Sequence, residues 1–345
     1  MRDPTNPRTN RAVLRHDPWM RLGYQIPDFT YPDVPPEGLF SRVRELARAG
    51  EQNGFDTVMV MDHFYQLPLL GPPEHEMLEA YTLLGALAAS TENARLGTLV
   101  TGVTYRNPAL LAKIVSTLDV ISGGRAMLGI GAAWFDVEHR ALGFDFPPVK
   151  ERFERLEEAL QICRAMFRGE RPTIAGRHYR VDGAINSPAP LQGGNVPIMV
   201  GGQGERKTLR LAAQYADILN LTSGWDELPR KVEVLRKHCS DVGRDTSEIT
   251  VTMLVSACVG ETDAEARSVR DDMLSTRGLE WSSLDEATRA MIGARFLVGG
   301  PEQLADRLGR AREQGLGGIA VNLPADGHDP QRVARAGEIL SAAMG

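Results

Sequence analysis

The chain has 345 residues, 42% of them hydrophobic and 24% charged, and a net charge of −6. That is globular composition with room for one large domain or two small ones, and a mildly acidic chain without a broad basic surface argues against nucleic acid as a partner. No apolar stretch reaches the roughly 18 residues that a membrane span needs, so no membrane partner is expected.

The first twenty residues, MRDPTNPRTNRAVLRHDPWM, are polar and rich in Arg and Pro, without the apolar centre of a secretory signal. They read as a flexible arm over residues 1–19, ahead of a single domain over 20–345. From Arg21 the chain alternates apolar strands with amphipathic helices. RLGYQI is a first strand, and a helix follows from about Leu39 to Asn53, with Val43, Leu46 and Ala47 on one face. DTVMVMD is strand two and MLEAYTLLGALAAST a helix. ARLGTLVTGV is strand three, and NPALLAKIVSTLDVISGG a helix with Pro108 in its first turn and glycines at its end. RAMLGIGAA is strand four, followed by helices near Asp136–Leu142 and Lys150–Phe167. VPIMVGG is strand five, with a helix opening at Gly204. ADILNLT is strand six, with a helix from Asp226 to Val242. ITVTMLVSACVG is strand seven, GIAVNLP is strand eight, and a helix from about Gln331 to Ala343 closes the chain.

Regular alternation of this kind means parallel strands joined by right-handed crossovers. Eight units favour a closed (β/α)8 TIM barrel of the α/β class over an open sheet. Three stretches exceed a minimal barrel: Phe64–Glu76, Arg168–Asn195 and Leu274–Val298. Long insertions in compact domains are usually lids or binding loops, and they are expected to wall a pocket at the C-terminal face.

Catalytic residues of this fold gather where the strands end. Asp62 and His63 end strand two, so they belong at the rim of the central pocket, where an imidazole can exchange a proton near neutral pH. Gly102 ends strand three and Gly129 and Gly131 end strand four, positions where a missing Cβ admits a flat or large group. After strand five, Gly201, Gly202, Gln203 and Gly204 lead toward a helix. Bare amides there suit a phosphate, with charge added by Arg206 or Lys207. The 7 histidines form neither His-x-His nor His-Glu-x-x-His, and the 3 cysteines, Cys163, Cys239 and Cys258, form no Cys-x-x-Cys pair. No metal site or disulfide framework is expected, and reduced thiols fit a cytoplasmic protein. Gly-x-Ser-x-Gly is absent, which disfavours a serine hydrolase.

Four stretches, GFDTVMVMDHF, ARLGTLVTGVTYRNPALLAKIVSTLDVISGGRAMLGIGAAW, ERFERLEEALQIC and VPIMVGGQGERKTLRLAAQYAD, together resemble the bacterial luciferase-like superfamily. The resemblance runs from about Met20 to Met344 and is closest to the deazaflavin branch, which uses coenzyme F420. It implies a cofactor at the C-terminal end of the barrel, with Thr101, Gly102 and Val103 around the ring. A non-proline cis peptide is expected at Gly102–Val103 or a neighbouring bond. It places Asp62 and His63 beside the ring, His63 exchanging the proton and Asp62 orienting it. Gly131, Trp134 and Glu138 follow strand four near the cofactor, and Gly201, Gly202, Gln203 and Gly204 hold its phosphate. The implied activity is an F420-dependent oxidoreductase acting on a small-molecule substrate, with an FMN-dependent monooxygenase of the same superfamily as the alternative and a homodimer as the assembly. One departure limits the resemblance. Where the sugar-phosphate dehydrogenases of that branch carry a glutamate after the Gly-x-Gly of strand four, this chain has Ala132.

Overall fold

Successive side chains of a strand point to opposite faces, and in this chain that alternation separates two apolar clusters. The computed structural model describes residues 21–31 and 33–345, so the arm expected over residues 1–19 lies outside them. Along the chain, β1 (Leu22–Ile26) leads to α1 (Leu39–Gln52), and β2 (Thr57–Val60) to α2 (Ala80–Ala88). The third strand comes in two pieces, β3 (Arg95–Thr98) and β4 (Thr101–Gly102), followed by α3 (Pro108–Ser122). Then come β5 (Leu128–Gly131), α4 (Asp136–Leu142), α5 (Val149–Phe167) and a small hairpin of β6 (Ile174–Ala175) and β7 (Arg180–Val181). They are followed by β8 (Ile198–Gly201), α6 (Thr208–Tyr215), β9 (Ile218–Leu221), α7 (Leu228–Asp241) and β10 (Thr250–Val259). The chain ends with α8 (Asp263–Ser275), α9 (Glu286–Arg295), β11 (Phe296–Gly299), α10 (Pro301–Glu313), β12 (Gly318–Asn322) and α11 (Pro330–Met344).

Every pairing in the main sheet is parallel, and the order runs β3-β2-β1-β12-β10-β9-β8-β5-β4. β3 and β4 are halves of one strand, so the two ends of that order meet and the barrel closes. The fold is the TIM barrel expected from the alternation. Met59, Leu99, Met127, Met199, Ile218 and Ala320 fill the interior. Their neighbours along each strand, such as Val58, Val60, Leu128, Val200 and Leu219, pack outward against the helices. The helices carry the signals read from sequence. Asn107 caps α3 by accepting from the Ala109 amide at 2.9 Å, and Gly123 ends it at φ 68°.

Three expectations are corrected. Strand three is interrupted at Leu99–Val100, where strand propensity could not reveal a break. The segment Leu274–Val298 is more than a loop. It holds α9 and the extra strand β11, which pairs with the outer half of the ten-residue β10 beyond the barrel. The segment Arg168–Asn195 does not start at the C-terminal face, because it joins the end of α5 to the start of β8. Its hairpin climbs back along α5, where Glu158 accepts the amides of Arg177 and Tyr179 at 2.8 Å each. Tyr179 then donates to the Val103 carbonyl at 3.2 Å, beside the end of β4.

Glycine in β5 is a packing requirement, since a Cβ on Gly129 would lie 1.9 Å from the Thr98 carbonyl oxygen. Gly129→Ala is expected to lower the free energy of unfolding by about 1–3 kcal/mol, the usual range for overpacking. The urea midpoint measures it, and an unchanged midpoint would contradict the close packing of strand three against β5.

Candidate active site

Successive residues of an extended chain turn to opposite sides, and Asp62 and His63, just beyond the end of β2, divide in this way. His63 reaches Glu138 of α4, its Nδ1 lying 2.8 Å from Oε1. Asp62 turns away and accepts both Arg106 nitrogens, at 2.6 and 3.0 Å. The expectation that Asp62 orients His63 is therefore corrected, because Glu138 does so.

Glu138 lies in the first turn of its helix, where a negative charge is favoured, and its side chain is fully buried. Oε2 accepts the Phe64 amide at 2.8 Å and the Tyr65 amide at 3.4 Å. Oε1 also accepts the Tyr105 hydroxyl. Burial alone would raise this carboxyl, but the hydrogen bonds from His63, Tyr105 and the Phe64 amide outweigh it and hold Glu138 below the usual carboxylate range. An ionised carboxylate only accepts, so His63 Nδ1 is a donor. Nε2, which meets no protein partner among the described residues, is left free for chemistry. Burial and the charge of Glu138 push the Tyr105 phenol well above its ordinary value, so it too remains a donor. Gly102 makes room for that tyrosine, for a Cβ there would lie 2.6 Å from the ring. Trp134 and Phe135 meet the imidazole edge-on, each with ring centroids 5.8 Å away.

Asp62 anchors a second network behind this one. Arg106 also pairs with Glu79 at 2.5 Å and lies 4.7 Å over the Tyr81 ring. Burial raises the Asp62 carboxyl against the opposing pull of Arg106. Thr101 is buried, its hydroxyl 2.7 Å from Tyr81 and 2.9 Å from Thr98, so its side chain is spent on the scaffold. Val103 is buried as well, its amide donating to the Gly131 carbonyl at 3.0 Å.

The non-proline cis bond is Leu99–Val100, three residues before the expected Gly102–Val103. The Leu99 carbonyl accepts from Gln25 at 3.0 Å, a buried amide on the inward face of β1. Val100 lies across the top of the interior, and glycines make room for it. A Cβ on Gly131 or Gly201 would come within 3.0 or 2.9 Å of its methyl groups. These two glycines thus seat Val100, which forms an apolar floor under the mouth. Ala133 holds a left-handed φ of 58°, a conformation that costs a residue with a Cβ about 1 kcal/mol. Arg152 donates to the carbonyls of Ala132 and Ala133 and braces that turn, from which Trp134 emerges 63% exposed.

After β8, the helix begins at Thr208 and not at Gly204. Gly202 takes a φ of 132°, open to glycine, and its amide donates to the Asn220 carbonyl at 2.9 Å. The amides of Gln203 to Lys207 donate to no protein acceptor among the described residues. They form a short run of bare N–H groups beside exposed Gln203 and Gly204.

The luciferase-like monooxygenase profile matches residues 20–317. The chain belongs to the luciferase-like monooxygenase family. It is 31% identical over 307 residues to an F420-dependent glucose-6-phosphate dehydrogenase of Microbacterium testaceum, covering 83% of this chain and 87% of the relative. It is 29% identical over 269 residues to a 5,10-methylenetetrahydromethanopterin reductase of Methanolobus tindarius, covering 75% and 76%. Among solved structures, EDTA monooxygenase from Chelativorans sp. BNC1 superposes with a TM-score of 0.76 at 17% identity, covering 94% and 93%, which shows the shared barrel.

Sequence reasoning missed Gln25, Tyr105, Arg106 and Arg152. A polar Gln at an inward position of an apolar strand was the one visible signal, while the others gain meaning only when the loops meet. The lowered Glu138 has a signed consequence. Its ionised form is favoured in the folded protein, so that stabilisation is present above the ordinary value of 4.5 and is lost as pH falls through the lowered folded value. Acid titration followed by circular dichroism is expected to show wild type losing more stability than Glu138→Gln across that window. Parallel curves would contradict the assigned charge.

Proposed function

We propose that this protein is a coenzyme F420-dependent oxidoreductase that transfers a hydride to or from a small organic substrate at the barrel mouth. The observation that carries the reading is the His63–Glu138 pair, which presents a free imidazole nitrogen at the mouth in a family whose relatives include F420-dependent enzymes. The residues fit the cofactor. Val100 on its glycine seat supplies an apolar floor, and the bare amides of Gln203 to Lys207 supply donors for an anionic tail. When bound, F420 supplies hydride chemistry, since carbon replaces the N5 of a flavin in its ring.

The chain's own residues do the rest. His63 Nε2 holds the proton that is exchanged with the substrate oxygen or carbon. Glu138 accepts from Nδ1 and so leaves Nε2 as the nitrogen that exchanges the proton. Phe64 and Tyr65 donate their amides to the same carboxylate, so the loop after β2 and the imidazole move together. Trp134 and Phe135 flank the ring edge-on. Ala132 offers no acid beside β5, so the sugar-phosphate of the Microbacterium relative is not carried over, and aromatic walls favour an uncharged substrate. A homodimer is the assembly we propose, with α3, which exposes Leu110, Val120 and Ile121, contributing to the contact.

Fluorescence titration tests the cofactor. Tighter binding of F420 than of FMN is expected, and the reverse order would replace the reading with a flavin monooxygenase. His63→Ala is expected to leave F420 affinity largely intact and to slow turnover by about 10²-fold or more. Unchanged turnover would remove His63 from the reaction.

A further inference from the structure

The loop from Gly202 to Lys207 has an unusual economy of hydrogen bonds. Its amides from Gln203 to Lys207 have no protein acceptor among the described residues, and its main chain is tied to backbone through the Gly202 amide, which donates to Asn220, and the Gly204 and Lys207 carbonyls, which accept the Leu209 and Leu211 amides at 3.1 and 2.9 Å. The middle of the loop is held by one residue, Glu205. The Glu205 carboxylate accepts from Arg230, with Nε at 2.9 Å from Oε1 and Nη2 at 2.9 Å from Oε2. It also accepts from Lys231 Nζ at 2.9 Å. The Glu205 carbonyl accepts from His238 Nε2 at 2.8 Å.

All three donors stand on α7, so the main chain and side chain of one residue are fastened to the same helix. Lys231 is only 8% exposed and reaches Glu227 at 3.2 Å as well, which makes the anchor a partly buried cluster. The arrangement also answers an electrostatic difficulty. A carboxylate beside a run of bare amides would repel an anion, but Arg230 and Lys231 neutralise it. Arg206, exposed and without an ion pair among the described residues, leaves positive charge on the open side of the loop.

We propose that Glu205 is a positioning residue for the cofactor tail. Clamped to α7 through Arg230, Lys231 and His238, it fixes the loop in the shape that offers the amides of Gln203 to Lys207 to a phosphate-bearing ligand. The inference rests on the F420 reading above. Glu205 itself touches no cofactor, and its action is through the loop.

The test compares two ligands, F420 and its tail-less deazaflavin fragment, by fluorescence titration of wild type, Glu205→Ala and Glu205→Gln, with melting temperatures measured alongside. Glu205→Ala, which removes the Arg230 and Lys231 contacts together, is expected to raise the Kd for F420 on the order of tenfold and to leave the Kd for the fragment unchanged. Glu205→Gln keeps one acceptor oxygen and is expected to fall between. Should Glu205→Ala fail to fold, His238→Ala removes only the carbonyl contact and is expected to shift the F420 Kd in the same direction by a smaller factor. A wild-type preference for F420 over the fragment that survives in the variants overturns the role of Glu205 alone, as does equal weakening of both ligands. Equal wild-type affinity for the two ligands overturns the tail site, and this inference with it.

Discussion

One buried carboxylate organises the mouth of this barrel. Glu138 has no solvent of its own, and a buried charge is tolerated only when its lone pairs are filled. They are filled by His63, by the amides that follow His63 and by Tyr105. Those donors come from the ends of two neighbouring strands, and Glu138 comes from the helix after a third. A single acceptor thus fixes three loops relative to one another. Removing it would leave the imidazole free to rotate and the tyrosine without a partner, so structure and chemistry share the same constraint.

The barrel interior is graded to match. Its lower layer is apolar and methionine-rich, with Met59, Met127 and Met199 around Ile218 and Ala320. Methionine suits that place because it fills irregular space without a fixed shape. Above it, the inward positions turn polar or small. Gln25 supports the Leu99 carbonyl, Asn220 donates to Thr252 at 2.9 Å, and glycines of β5 and β8 yield their volume to Val100. The upper layer is therefore a platform built from main chain and one valine. The His63 imidazole stands on one side of it, and the α7-anchored amide loop follows β8.

Much of this was legible in the sequence, because the strand and helix periods are local properties. The apolar run ending at Asp62 and His63, the Asn107–Pro108 start of α3 and the glycines after β8 all lay where the chain pattern put them. Partnership was not legible. Asp62 and His63 are adjacent in the chain, which suggested that they act together, but pleating turns them apart. Glu138 lies 75 positions from His63, and only closure of the barrel brings them to 2.8 Å. Likewise the start of α6 slipped from Gly204 to Thr208, since Glu205 is drawn to α7 by residues some 25 positions on. Neither pairing leaves a trace in local periodicity.

Glu138 sets which nitrogen of His63 is free. Nitrogen-15 NMR of protein labelled at its imidazole nitrogens reads this directly, with the His63 signals assigned from a His63→Asn sample. At a pH where the ring is neutral, the proton should sit on Nδ1 and Nε2 should show the shift of a bare nitrogen. A proton found on Nε2, with Nδ1 bare, would contradict the account.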